Sequence, residues 1–245
     1  MDANHKRPFA AFDIDGTVAR TSLLQLVTRE MVARGKLSVD AGHEIDVRLH
    51  DFRQKVADES FGEYMSDAVK ILFSNLKELP VSEYLQIAEA VVNRSLSNTY
   101  VYTRQLMAQL KNHGYFLIAI SGSEARLVDF FAKAMGFDAS YGAVYYQGET
   151  VIDGSVEVLN HSKQQILSDM IQKYNLETKH SVAIGDTSSD IPMLEAAEQG
   201  IAFNPNQALF QTARERGWMV VIERKDMVYG LEPQNGSFVL KTTNV

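Results

Sequence analysis

Cysteine is absent from this chain of 245 residues. Disulfides and thiol chemistry are thereby excluded, and the absence fits a reducing compartment. Long apolar runs are absent as well, and none approaches the length of a membrane span. The stretch from Met1 to Pro8 holds no apolar segment of signal-peptide type. A soluble, cytoplasmic protein with no membrane partner is therefore expected. Excess positive charge is lacking: the formal net charge is −7, with acids and bases interspersed. A nucleic-acid surface would need a basic patch, so no nucleic-acid partner is expected. Internal repeats and low-complexity tracts are not visible either. What is present is 45% hydrophobic content, enough over this length for a full α/β core and a smaller second domain.

The apolar pattern divides the chain. Phe9 to Asp13 reads as a buried strand, broken by Gly16 and Thr17. From about Ser22 to Ser97 the spacing turns helical, with Leu23, Leu24, Leu26, Val27 and Met31 on the first stretch. Further helices are expected over Val39 to Val56, Phe61 to Leu76 and Val81 to Leu96, the last started by Pro80. After about Tyr100 strands and helices alternate. Helices are expected over Arg104 to His113, Glu124 to Met135, Lys163 to Tyr174, Ile191 to Glu198 and Gln207 to Arg216. Strands are expected at Phe116 to Ile120, Ser181 to Gly185, Ile201 to Phe203 and Met219 to Ile222. A strand hairpin is expected within Tyr141 to Val158. The tail from Glu232 has no clear assignment. Such alternation indicates a parallel sheet with helices on its faces. The predicted organisation is a core of residues 1–17 and 100–245, with a helical insert over 18–99.

Four acids carry the chemistry, in two pairs. Asp13 and Asp15 leave the first strand, and Asp186 and Asp190 follow the strand ending at Gly185. Carboxyl ends of parallel strands line the ligand crevice of an open α/β sheet. Carboxylates gathered there repel one another unless a cation neutralises them. An all-oxygen cluster suits Mg²⁺ with water and substrate phosphate. Asp13 has the chemistry to attack phosphorus, and Asp15 to protonate a leaving oxygen and later deprotonate water. The Gly16 turn and the Thr17 hydroxyl suit an anion, although Asp in a turn also serves as a plain cap. Ser121, at the end of a strand, can donate to phosphate. Ser-Gly-Ser before a helix is equally ordinary turn chemistry, with Ser123 the expected N-cap. Lys163 opens a helix, where its charge opposes the macrodipole, so it is either aimed at phosphate or solvated. His161 beside it is a substrate contact or a loop residue. Asp186 suits a direct metal ligand. Asp190 suits an N-cap before Ile191-Pro192, an orienter of metal-bound water or Lys163, or both.

Taken in order, these segments resemble the four motifs of the haloacid dehalogenase superfamily of phosphohydrolases. Asp13 to Thr17 looks like the first motif, Ser121 the second, Lys163 the third and Gly185 to Asp190 the fourth. The resemblance implies a Rossmann-like core, Asp13 as nucleophile and Asp15 as acid and base. It implies Mg²⁺ held by Asp13, the Asp15 backbone carbonyl and Asp186, with Thr17, Ser121, Gly122 and Lys163 on phosphate. Dehalogenating members lack the second acid of the first motif, so Asp15 favours a phosphatase. A helical insert between the first two motifs is similar to the capped branch containing phosphoserine phosphatase, as are Gly217 to Val220 and Gly200 to Asn204. That branch carries a glutamate for the substrate amine where this chain has Ser22. It also carries a cap arginine for the substrate carboxylate, which the segment Phe61 to Ala68 lacks. Arg53, Glu63 and Tyr64 lie near and are further candidates for substrate selection.

The expected protein is a Mg²⁺-dependent phosphomonoesterase acting through an aspartyl-phosphate on a small phosphorylated metabolite. Two alternatives stand beside it. One is a phosphotransferase of the same mechanism. The other is a phosphate-binding regulator with weak or lost turnover, against which the intact Asp13 and Asp15 argue.

Overall fold

The computed structural model describes residues 6–54, 61–158, 162–225, 227–234 and 237–241, with backbone alone over 49–54 and 61–66. Six parallel strands form the centre of one sheet: β1 (Arg7–Phe12), β2 (Phe116–Glu124), β3 (Ala139–Tyr146), β5 (Leu176–Gly185), β6 (Gln199–Phe203) and β7 (Met219–Arg224). Antiparallel strands close both edges, β4 (Val156–Val158) on one side and β8 (Met227–Gln234) with β9 (Ser237–Lys241) on the other. The order is β4-β3-β2-β1-β5-β6-β7-β8-β9. Strand β1 therefore sits where the order reverses, with β2 to one side and β5 to the other. That is the place where ligands bind in open α/β sheets.

Strand alternation builds two cores. Ala10 and Phe12 of β1 join a buried cluster with Ala119, Ile184 and Phe203, whereas Phe9 and Ala11 join another with Ile118, Ala183 and Ala202. Helices α7 (Lys163–Lys173), α8 (Ile191–Glu195) and α9 (Gln207–Arg216) fill the second face through Leu167, Met193, Leu194 and Leu209. The first face is covered by α5 (Val101–Asn112) and α6 (Ala125–Met135), through Met107, Leu127 and Phe131. The expected class, an α/β fold with a parallel sheet between helices, is borne out. Trp218, the one tryptophan of the chain, lies against Gly200, where a Cβ would come within 2.8 Å of its ring.

Four helices lie between β1 and α5: α1 (Leu23–Ala33), α2 (Val39–Gln54), α3 (Phe61–Asn75) and α4 (Val81–Ser95). Their apolar faces, including Leu24, Val27, Leu72 and Ile87, belong to the same buried cluster as Phe12 and Phe203. The chain leaves for this segment and returns from it side by side. Arg20 N donates to Asn98 O at 3.1 Å and Tyr100 N to Val18 O at 3.0 Å. A second seam lies elsewhere: Glu78 N donates to Ile152 O, Ile152 N to Leu79 O and Val81 N to Thr150 O, all at 2.8–2.9 Å. The turn between α3 and α4 is thus stitched to the loop between β3 and β4.

Several elements differ from the sequence reading. Strand β2 runs to Glu124, and the N-cap of α6 is Glu124 rather than Ser123: its side chain accepts from Arg126 N at 2.7 Å and Leu127 N at 2.9 Å. Helix α8 stops at Glu195, preceded by a single 3-10 turn over Ser188–Asp190. The tail from Glu232, without assignment, supplies the end of β8 and all of β9, and the first part of β8, from Met227, was not expected either. Among the described residues, no helix is long and apolar enough to cross a membrane.

Candidate active site

Asp13 follows β1 directly, and its backbone N–H donates to Ile184 O at 3.0 Å, fixing it against the end of β5. The chain then turns at Gly16, whose φ is +95°. A Cβ there would also fall 2.2 Å from Asp186 Oδ2, so a side chain is excluded on two grounds. This close approach brings the two motif ends together. Thr17 Oγ1 donates to Asp186 Oδ1 at 3.3 Å. One carboxylate oxygen each of Asp13, Asp186 and Asp190 lies within 4.8 Å of the others.

Lys163, first residue of α7, reaches into this group. Its Nζ lies 2.6 Å from Asp13 Oδ1 and 2.5 Å from Asp190 Oδ1. It is buried and paired rather than solvated. Asp190 does two jobs at once. One oxygen holds Lys163, while the other accepts from Asp186 N at 3.1 Å, Thr187 N at 2.9 Å and Thr187 Oγ1 at 3.1 Å. The orienting contact with Lys163 is made, but the expected N-cap bond to α8 is not: Asp190 occupies the N-cap position of α8 without a side-chain cap bond and instead closes a capping box back onto Thr187.

Burial sets the electrostatics. It lifts the Asp13 carboxyl to about 7, with Lys163 pulling it down and the Asp190 and Asp15 carboxylates pushing it up. Burial also raises Asp186 well above the usual carboxylate range, aided by Asp13 and Asp190 and opposed by Lys163 and Thr17. Desolvation works against the Lys163 charge, but attraction to Asp13 and Asp190 outweighs it, so the ammonium sits above its ordinary value.

Asp15 faces elsewhere. Its Oδ2 accepts from Ser121 Oγ at 3.0 Å and Ser123 Oγ at 2.7 Å. Its Oδ1 accepts from Leu23 N at 2.7 Å. Leu23 is the first residue of α1, and Ser22, in the N-cap position, makes no side-chain cap bond. Asp15 thus takes over as the cap of α1. Ser121 Oγ also accepts from Ser123 N at 3.0 Å.

Among known proteins, the family model of the haloacid dehalogenase-like hydrolases matches residues 10–198. The chain belongs to this family. Phosphoserine phosphatase of Methanocaldococcus jannaschii is 24% identical over 225 residues, 91% of this chain and 95% of its own. Phosphoserine phosphatase of Archaeoglobus fulgidus is 24% identical over 213 residues; the match covers 86% of this chain but 56% of that protein. A solved phospho-aspartyl intermediate analogue of phosphoserine phosphatase superposes with a TM-score of 0.63 at 20% identity, covering 91% of this chain and 96% of the other. A Bordetella pertussis protein of unknown function reaches a TM-score of 0.73 at 17% identity, covering 89% and 99%. The expected family, and with it an enzyme of the hydrolase class, is borne out.

Within this haloacid dehalogenase-like site, Asp13, Thr17, Lys163, Asp186 and Asp190 come together, and Ser121 joins Asp15. Gly122 lies between Ser121 and Ser123 at the end of β2. Ser22 is buried next to Leu23, and its hydroxyl has no hydrogen-bond partner among the described residues; the same is true of Thr28 Oγ1 on α1. Arg53 lies on the α2 backbone and Glu63 and Tyr64 on that of α3, but their side chains fall outside the described part. His161 lies outside the described residues altogether. Sequence reasoning missed the contact of Ser123 with Asp15, and it missed Tyr84, whose buried hydroxyl donates to Glu124 Oε2 at 2.9 Å. No spacing rule ties a tyrosine of one segment to a glutamate forty residues on.

The donor set fits a metal ion. Three carboxylates, two buried and one half-buried, gather beside one ammonium, which when they are ionised leaves surplus negative charge, and every ligand atom offered is a hard oxygen.

Proposed function

We propose that this protein is a Mg²⁺-dependent phosphomonoesterase that works through an aspartyl-phosphate on Asp13. The observation that supports the reading is the buried Lys163 ammonium bridging Asp13 and Asp190, beside Asp186 and at the reversal point of the sheet. Asp13, the Asp15 carbonyl and Asp186 would hold the cation. When bound, it would neutralise the carboxylates and offset charge on the phosphoryl oxygens.

The residues then divide the work. An Asp13 oxygen attacks phosphorus, the ester oxygen leaves, and Asp15 supplies its proton. Thr17, Ser121, Gly122 and Lys163 hold the phosphoryl oxygens. In the second half Asp15 takes a proton from water, the water oxygen attacks phosphorus, and Asp13 is released with inorganic phosphate. The helical segment 18–99 serves as a cap that excludes bulk water and selects the substrate.

The substrate is a small phosphorylated metabolite other than an amino acid, such as a sugar or alcohol phosphate. The relatives named phosphoserine phosphatase are too distant to carry their substrate across. Where the resemblance calls for a glutamate, Ser22 holds a buried hydroxyl without a partner among the described residues, suited to a neutral polar group. A substrate ammonium closed in there would lack its counter-charge.

The test is phosphate release from an aryl phosphate by purified protein with Mg²⁺, with and without excess chelator, followed by kcat/KM across a panel of phosphorylated metabolites. Chelation should abolish turnover and Mg²⁺ restore it. Full activity in chelator would remove the metal assignment. Phosphoserine ranking first by a wide margin would overturn the reading of Ser22.

A further inference from the structure

Ser123 lies outside every role given to the motif residues, yet it is completely buried and its hydroxyl points at the acid of the first motif. We propose that Ser123 is a positioning residue that keeps Asp15 in place once substrate has bound; the inference rests on the phosphatase reading above.

The argument is a count of protons. A serine hydroxyl has one hydrogen to donate. Ser121 spends its hydrogen on Asp15 Oδ2 at 3.0 Å. When Ser121 donates to a phosphoryl oxygen instead, Asp15 loses that bond. Ser121 cannot serve both acceptors. Two donors then remain on Asp15: Leu23 N on Oδ1 at 2.7 Å and Ser123 Oγ on Oδ2 at 2.7 Å. Ser123 is thus the one side-chain donor left on Asp15 among these contacts, and it fixes the rotation of the carboxyl group about its own axis. It is itself held from behind, because Ser123 N donates to Ser121 Oγ at 3.0 Å and so keeps the two serines in register. Burial at the end of β2 leaves the hydroxyl little freedom to turn away.

The consequence is confined to proton transfer. Without Ser123 Oγ the carboxyl swings about its contact with Leu23 N, and its proton is misplaced relative to the leaving oxygen. Misplacement of about 1 Å in such a group costs on the order of 10²-fold. Phosphate binding, which uses Thr17, Ser121 and Lys163, is not touched.

The test compares two esters with wild type and Ser123→Ala, both with Mg²⁺. An alkyl phosphate needs its leaving oxygen protonated, whereas a nitrophenyl phosphate leaves readily without help. Ser123→Ala should lower kcat on the alkyl ester roughly 10- to 100-fold, with KM unchanged. On nitrophenyl phosphate it should lose less than about threefold in the first step, as read by single-turnover release of nitrophenol. Ser123→Thr, which keeps the hydroxyl, should recover most of the alkyl rate. Equal losses on both esters, or no loss on either, would overturn the proposal, since a purely structural role cannot tell leaving groups apart. A wild-type enzyme inert on both esters would instead remove the phosphatase reading itself.

Discussion

Asp13 and Asp15 stand two residues apart and keep different company. Asp13 is bound to Lys163 in the carboxylate group, while Asp15 is held by two serines and the start of α1. Replacing each should therefore give different deficits. Asp13→Asn removes the proposed nucleophile and should abolish turnover on every ester. Asp15→Asn should cost on the order of 10²–10⁴ in kcat for an alkyl phosphate and less for an aryl phosphate in its first step. Near-normal turnover by Asp13→Asn would show that another residue attacks. The buried acids also set a pH dependence. Asp13 and Asp186 titrate higher in the folded chain than in the unfolded one. Folding then retains protons that the unfolded chain has shed, so without a cation stability should fall as pH rises from about 4 toward 7. A divalent cation competes with those protons. The rise in Tm on adding Mg²⁺ should be larger at pH 7.5 than at pH 5, measured by calorimetry; an equal or reversed rise would place the cation elsewhere.

At the scale of elements, α5 shows how a helix start can depend on a distant strand. Tyr100 occupies its N-cap position without a side-chain bond. The vacancy is filled by Glu223 of β7, whose two oxygens accept from Val101 N at 3.1 Å and Tyr102 N at 2.9 Å while also pairing with Arg20. Glu223→Ala should destabilise the protein by about 1–2 kcal/mol as a lost cap, read from denaturant midpoints; an unchanged midpoint would mean water caps α5 as well. This contact also marks where sequence reading stops. Helices α4 and α9 were legible within a residue or two because their periodicity is a local signal, as is Pro80 at the start of α4. The same holds for β1 and for the acids after β1 and β5, whereas β5 itself begins at Leu176 rather than Ser181, because its first half is largely polar and exposed. Strands β8 and β9 were not legible, because half-exposed strands at the end of the sheet lack the apolar run of β1. Contacts such as Glu223 with Val101, Tyr84 with Glu124, or Ser123 with Asp15 depend on which chain ends the fold brings together, and spacing along the sequence does not encode that.

At the scale of the whole molecule, the helical segment is attached at more than its neck. The seam of residues 78–81 on 150–152 would have to open if the helices swung away as one body. Val81→Pro probes it with little collateral damage, since it deletes only the N–H bonded to Thr150 O, at a first helical position that tolerates proline. Loss of one such bond should cost about 1 kcal/mol and should speed amide exchange at Glu78 and Ile152. Unchanged exchange at both would mean the seam is held by packing and not by its hydrogen bonds. Trp218 offers a way to watch the two halves separately. It sits on β6 through Gly200, and the helices between β1 and α5 hold no tryptophan. Indole emission is therefore a private reporter on the sheet, blind to the helices above it. Far-ultraviolet dichroism, dominated by helix, sees both. Overlaid melting curves from the two signals would reveal one cooperative body, and a dichroic transition preceding the emission change would reveal helices that loosen while the sheet stays intact.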